Sequence, residues 1–452
     1  MSLEQFVDDI RIIDSHEHTV AEDERILLGA DPFKIFLSVY ASSDLKSAGL
    51  SFEDYAKLID EERSISERWN LIKPYWNKAS NTGYFACIKL AIRDLYGIDE
   101  INESTIQTLA AKMKLANKKG LYNWVLKEKA KIDLAIIDND YWDDKCVYHS
   151  YLDVDRNFFA PVARLEDFIF IRGRDDVKRL SEKRRRPIHS LNDLDTALRS
   201  TVGSLRQKIV GLKIVLAYNR NIFFDKVTFD DAERVFNKIM SSKNQCFAPL
   251  GDLTFGTGAA ANGIRPNDQL SIEEGKHLQD YMVHRILQLA SEYSIPVQIH
   301  TGLQEGNLNL ISNSNPELLT NLFIEYYDVV FDVFHGGYPY TKQLTTLVKN
   351  FPNVYLDMCW LHIISPAAAR EALADWLDSV PASKIIGFGG DYIFVEGTYG
   401  HARIARSNIT RVLRNKVEDG DFSEEEAKRI AQLLLRDNAL AVFRDLKVSG
   451  SK

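Results

Sequence analysis

Two histidines two residues apart, His16 and His18, stand in the segment Asp14-Ser15-His16-Glu17-His18-Thr19, directly after the apolar run Ile10–Ile13. In an extended chain residues i and i+2 point to the same side, so this spacing presents two imidazoles together. A pair of neutral ring nitrogens on one side is a chelate for a single cation. A packed or solvated pair would carry the same letters, so the remaining histidines decide. His300 closes Pro296-Val297-Gln298-Ile299 ahead of Thr301-Gly302, and His335 closes Val329–Phe334 ahead of Gly336-Gly337. Asp391 follows Ile385–Phe388 and two glycines, Gly389 and Gly390, which let a chain turn tightly beside a ligand. If each run is a strand of one parallel barrel, all of these side chains open into the mouth at the strands' C-terminal ends.

The elements that would position them are legible as short apolar or β-branched runs between amphipathic stretches. In order they are Ile10–Ile13, Ile132–Ile137, Phe158–Ala163, Ile209–Ala217, Ile295–His300, Val329–His335, Val354–Met358 and Ile385–Phe388. Eight strands alternating with helices imply an α/β fold, a (β/α)8 TIM-like barrel. Leu278, Met282, Ile286, Leu289 and Tyr293 recur at helical spacing up to Ser294-Ile295-Pro296, where the chain must turn extended. Ser423 with Glu426 reads as a capping box, and Asn438 as the cap of a last helix leading to Phe443. The stretch 19–131 is far longer than a strand-to-strand connection, and implies a helical insertion subdomain within a single 1–452 barrel. Within it Tyr84, Cys87, Ile88, Ala91 and Leu95 fall on one face, and Ile106, Leu109, Ala110 and Met113 on another.

With these positions in place the sequence resembles the amidohydrolase superfamily, in which His-x-His on the first strand, histidines on the fifth and sixth and an aspartate on the eighth build a metal site. Gln298-Ile299-His300-Thr301-Gly302, Phe334-His335-Gly336-Gly337-Tyr338-Pro339 and Asn353-Val354-Tyr355-Leu356-Asp357 are similar to segments of its amidohydrolase-2 branch. That branch includes uronate isomerases, decarboxylases and the amidohydrolase-like domain of nodulin-type proteins fused to glutamine synthetase. The resemblance runs from Arg11 to Phe443 and is strongest after Pro296. It implies His16, His18, His300 and Asp391 as metal ligands, with His335 binding a second ion or polarising the substrate. Lys213, on the fourth strand, matches a position where some members carry a lysine carbamylated by CO2 that bridges two metals; the alternative is a free amine that binds a substrate anion or pairs with a carboxylate. One departure is that Ile393 stands where uronate isomerases place a carboxylate-binding arginine.

Arg164 at the end of the third strand, Gln304, Glu305 and Asn307 after the fifth, and Glu396, Tyr399, His401 and Arg403 after the last are candidate pocket residues, with Arg164, Gln304, Glu396 and His401 as substrate-binding candidates. His149, His189, His277, His284 and His362 lack strand-end context and read as surface or core. A divalent ion held mainly by imidazoles acidifies bound water towards pH ~7, so hydrolysis of a small polar amide, ester or lactone is the expected activity. Zinc is the first candidate, one ion by default, with two left open. An isomerase or decarboxylase of a hydroxylated carboxylate is the alternative, and a metal-free binding scaffold a third.

Composition supports an enzyme of small molecules. The 56 basic and 64 acidic residues give a net charge of −8, lacking the basic bias that nucleic acid requires. Lys183-Arg184-Arg185-Arg186 reads as a solvated helix end. The acidic start of the chain lacks the pattern of a signal peptide, and no apolar run approaches a membrane span. Four scattered cysteines, Cys87, Cys146, Cys246 and Cys359, indicate neither a disulfide framework nor a thiolate zinc site. A cytoplasmic setting is expected, with homo-oligomerisation left open.

Overall fold

The structure is a computed structural model and describes residues 1–138, 154–242, 272–443 and 446. Cys146, Cys246 and His149 lie outside the described residues. Eight parallel strands follow one another in chain order: β1 (Ile12–Glu17), β2 (Ile132–Ile137), β3 (Phe159–Arg164), β4 (Gly211–Ile214), β5 (Val297–Ile299), β6 (Phe331–Val333), β7 (Val354–Asp357) and β8 (Ile385–Ile386). The chain is a (β/α)8 barrel. Its last seam runs between β1 and the segment after β8, through Ser15 N to Phe388 O (3.1 Å), Asp391 N to His16 O (2.7 Å) and His18 N to Tyr392 O (3.1 Å).

Strand boundaries moved most at β1. Ile10 caps a short helix, Leu3–Asp9, and the strand begins at Ile12 and continues to Glu17, so the first chelating histidine lies inside the strand. The helix Ile272–Tyr293 buries Leu278, Met282, Ile286 and Leu289 and ends where Ser294 turns to positive φ ahead of Ile295-Pro296. Ser423 caps the helix Glu424–Gln432 by accepting from Glu426 N. Asn438 has a different task from the one its type suggests: it lies within the first turn of the last helix, and its amide donates to the carbonyls of Ala382 and Ile385 at 2.7 Å. It thereby holds the start of β8.

Between β1 and β2 runs a series of helices from Glu22–Leu27 to Asn123–Lys129. Among them Gly83–Tyr96 buries Tyr84, Cys87, Ile88, Ala91 and Leu95 and packs against Val395–Glu418, the helix that follows the β8 turn.

The barrel interior is layered. At the bottom Ile13, Leu134, Ile136, Val162 and Ile386 form an apolar plug closed by Ala439, Val442 and Phe443. Above it, register partners Arg164, Lys213, Gln298 and Asp332 on β3 to β6 share a face and form a polar layer beneath the mouth. The Gln298 amide donates to Ser15 O (2.9 Å) and to Asp332 Oδ2 (3.0 Å), crossing from β5 to β1. Asp332 and Asp357 adjoin, and burial raises both carboxyls, Asp357 to about 6 and Asp332 further. The native pair therefore keeps protons that the unfolded chain releases, so its contribution is full below about pH 4 and is lost as the pH rises through about 6. Asp357→Asn should flatten that part of the stability profile in urea unfolding between about pH 4 and pH 7. Parallel profiles for variant and parent would contradict the shared proton.

Candidate metal centre

His16 and His18 leave β1 on the same side, as alternation in a strand requires. Their Nε2 atoms are 3.2 Å apart, and Asp391 Oδ1 stands 3.5 Å from the first and 3.3 Å from the second. A tetrahedral zinc with bonds of 2.0–2.1 Å has ligand-to-ligand edges of about 3.3–3.4 Å, so these three atoms match one face of such a shell. The donor set fits a divalent cation. His18 Nδ1 lies 2.8 Å from the backbone oxygen of Asp138, a contact in which the ring must donate, and this turns Nε2 towards Asp391.

Asp391 owes its place to the β8 turn. It is held at φ 57°, and its amide is fixed by His16 O. A non-glycine residue in that region is strained and persists only where its surroundings determine it. Asp14 Oδ1 accepts from Gly390 N (2.9 Å) and His16 N (3.0 Å), while Glu17 Oε2 accepts from Tyr392 N (2.9 Å). Burial lifts Asp14 to about 7 against a hydrogen bond from Glu17, and lifts Glu17 higher, where the adjoining Asp14 adds to the rise. The Tyr40 hydroxyl also donates to Asp391 O.

His335, at φ 61°, lies across the mouth with Nδ1 3.0 Å from Cys359 O and 4.0 Å from Asp391 Oδ2. Its Nε2 meets His300 Nδ1 at 3.0 Å, and His300 Nε2 lies 3.1 Å from Leu303 O. His300 is thus one ring removed from the His16–His18–Asp391 triangle. Burial pushes His335 down to about 4 and takes His16 and His300 well below the ordinary range, so all three imidazoles are neutral at pH 7, as ligation requires. Burial raises the Asp391 carboxyl, but the His18 hydrogen bond, the adjoining His335 ring and the Lys213 amine outweigh it, leaving the group below its usual value.

The Lys213 amine is buried, has no hydrogen-bond partner among the described residues, and lies 3.3 Å from the centre of the Phe334 ring. Burial pulls it down to about 8 against the pull of Asp138, Cys359 and Asp391. Arg164 is buried and donates to Asp138 Oδ2. Gln304 donates to Ala217 O (2.8 Å), and its buried Oε1 has no partner among the described residues. Glu396 is fully buried in a pair with Arg25 (2.6 Å) and accepts from Tyr96 (3.0 Å), in the seam between the insertion and the barrel. His401 is fully buried against the Phe388 and Tyr392 rings, with Nδ1 2.9 Å from Gly390 O, behind the β8 turn. Tyr399 donates to Asp94, and Arg403 lies 3.4 Å from Asp8. Glu305 N meets the Tyr218 hydroxyl, and the Asn307 amide donates to Ser43 O.

Sequence reasoning missed Asp138, whose carboxylate adjoins His16 and His18, although it ends a strand as His300 and Asp391 do. It also missed Cys359 and Trp360 after β7, and Glu166, which accepts from Val215 N at 2.6 Å and is pushed by burial to about 7. Of the cysteines, Cys87 and Cys359 are buried and free.

Comparison with known proteins finds relatives of part of the sequence and of the whole fold. A family model described as Amidohydrolase matches residues 258–444. The protein fluG of Emericella nidulans is 28% identical over 241 residues, which are 52% of this chain and 25% of that protein, so the chain spans about a quarter of the length of this curated relative. A uronate isomerase from Thermotoga maritima superposes with a TM-score of 0.77 at 16% identity, over 98% of this chain and 96% of that one. A glucuronate isomerase from Caulobacter crescentus gives 0.74 at 14% identity over 99% and 95%. A proposed metal-dependent hydrolase from Lactobacillus casei gives 0.65 at 17% identity over 98% and 97%. Residues 258–444 are thus similar to the amidohydrolase family, in its amidohydrolase-2 branch, and the solved structures share the barrel fold.

A Cβ on Gly390 would stand 1.8 Å from Glu17 Oε1 and 3.0 Å from Asp14 Oδ2. Gly390→Ala should therefore cost about 1–3 kcal/mol in urea unfolding, the usual range for overpacking, and weaken cation binding by displacing Asp391. An unchanged unfolding midpoint with unchanged zinc affinity would contradict this account of the turn.

Proposed function

We propose that the chain is a metal-dependent hydrolase of a small polar amide, ester or lactone, with His16, His18 and Asp391 holding a zinc ion. The observation that carries this reading is the triangle of Nε2, Nε2 and Oδ1 atoms with edges of 3.2 to 3.5 Å. Bound there, a divalent cation supplies Lewis acidity and brings the pKa of water towards 7. The protein's own groups do the rest. Asp391 Oδ2, on the side of His335, receives a proton from the attacking water and returns it to the leaving group. His335 Nδ1–H, now satisfied by Cys359 O, is placed to polarise the substrate carbonyl. Lys213, Arg164 and the Gln304 carbonyl oxygen are the polar groups that would orient the substrate, while Glu396 and His401 act from behind by fixing the β8 turn and its helix. His300 orients the His335 ring, and joins the ligands if a second ion is bound. A CO2 adduct on Lys213 would make the site binuclear.

A second reading, isomerisation or decarboxylation of a hydroxylated carboxylate, is supported by the likeness to the uronate isomerase structures across nearly the whole chain. Against it stands Ile393, which supplies no charge for a carboxylate, although Lys34 lines the same small cavity of about 180 Å³ with Ser38 and Tyr55. No helix among the described residues is long and apolar enough to cross a membrane, and we place the enzyme in the cytoplasm acting on a small molecule.

Screening of amides, lactones and uronates, with and without a chelator, followed by product analysis in ¹⁸O-labelled water, separates the two readings. The hydrolase must place solvent oxygen in its product; turnover without incorporation favours the second reading. Asp391→Asn should keep the native circular dichroism spectrum and lose about 10²–10⁴-fold in turnover, the usual worth of a general base. Full activity in that variant would refute its role. The double substitution of His16 and His18 by Ala should reduce bound zinc from about one per chain to near zero, and retention of zinc would move the site elsewhere.

A further inference from the structure

Cys359 follows β7 by two residues and is buried at the edge of the mouth. Its Sγ, the His335 imidazole and the Asp391 carboxylate each offer a ligand atom within 4.8 Å of the other two. All three residues are buried. They come from the ends of β6, β7 and β8, whereas His16, His18 and Asp138 come from β1 and β2, so the two donor groups flank Asp391 from opposite sides. The carboxylate faces both. Oδ1 lies 3.5 and 3.3 Å from the Nε2 atoms of His16 and His18, and Oδ2 lies 4.0 Å from His335 Nδ1.

A carboxylate whose two oxygens face separate donor groups is arranged as a bridge between two cations, which in two-metal sites stand about 3.5–4 Å apart. The donors on the second side include sulfur, and a thiolate selects soft or borderline ions over magnesium or calcium. Room for the thiol is built into the β8 turn. A Cβ on Gly389 would stand 2.7 Å from Cys359 Cβ and 2.9 Å from its Sγ, so any larger residue would displace the sulfur.

We infer that His335, Cys359 and Asp391 form a second cation site, for a thiophilic divalent ion such as zinc or cadmium, sharing Asp391 with the first. The inference rests on the reading of His16, His18 and Asp391 as the first site. On binding, the Cys359 S–H bond breaks, its proton leaves to solvent, and a metal–sulfur bond forms with no change of oxidation state. The His335 proton moves from Nδ1 to Nε2, where it is donated to His300 Nδ1, so that Nδ1 exchanges its contact with Cys359 O for the cation. Asp391 Oδ2 is then occupied, so the oxygen that carries the proton is no longer available, and excess zinc should inhibit.

Cadmium titration of the metal-free full-length chain tests this without reference to turnover. Two equivalents should bind, one of them bringing a sulfur-to-cadmium absorption band in the ultraviolet. Cys359→Ser should bind one equivalent and show no band, while a Cys146→Ser/Cys246→Ser double variant should behave as the parent. Persistence of the band in Cys359→Ser, or binding of only one, band-free equivalent by the parent, overturns the second site and leaves the first intact. Failure of Cys359→Ser to bind its band-free equivalent would instead overturn the proposed metal centre and this inference with it. Should Cys359→Ser not fold, ¹¹³Cd NMR of the unaltered chain decides: two resonances, one shifted towards sulfur ligation, support the site, and a single nitrogen–oxygen resonance overturns it.

Discussion

The hydrogen bond from Asp391 N to His16 O, 2.7 Å long, is where the fold and the site become one structure. It belongs to the seam that completes the barrel, and it joins the two residues whose side chains form one edge of the donor triangle. β8 is only two residues long, so the strand itself cannot hold the turn that follows. Ser15 N and His18 N, each donating to that turn, and the buried carboxyls of Asp14 and Glu17, which accept from Gly390 N and Tyr392 N, do so instead. Each of these bonds satisfies a backbone group that would otherwise be stranded away from water. Together they keep Asp391 in a conformation that an unconstrained aspartate would leave.

Electrostatics reinforces that geometry. Burial keeps the imidazoles of His16, His300 and His335 neutral at pH 7, while neighbouring donors keep Asp391 ionised. Neutral rings beside one carboxylate are suited to a cation. The helical insertion contributes from outside. The Arg25–Glu396 pair, wholly withdrawn from solvent, ties it to the first turn of the helix Val395–Glu418, and His401 on the same helix reaches back to Gly390 O. A buried pair of this kind is costly to break from one side only, because the surviving charge is left without a partner.

Much of this was legible in the letters. The eight apolar runs located the eight strands because buried parallel strands need apolar residues on both faces, and His300 and His335, closing two of them, marked the mouth. The limits of β1 were misread because Asp14, Ser15 and His16 are polar and yet inside the strand, paired with β2 and with the β8 turn. Asp138 and Cys359 were missed because each stands beside a segment whose pattern was read for its apolar run alone. The tasks of Glu396 and His401 depend on Arg25, Tyr96 and Gly390, partners from 11 to 371 residues away in the chain, and no local pattern carries such distances. Asn438 is similar: a residue type suited to capping is used to hold two carbonyls near β8.

The most direct measurement is zinc K-edge X-ray absorption on the full-length chain carrying one equivalent of zinc. The first shell should contain only nitrogen and oxygen at about 2.0–2.1 Å, with the multiple-scattering signature of two imidazoles, and that signature should vanish in His16→Ala/His18→Ala. A shell without imidazole scattering, or one unchanged in that variant, would contradict the convergence of β1 and the β8 turn on a common ion.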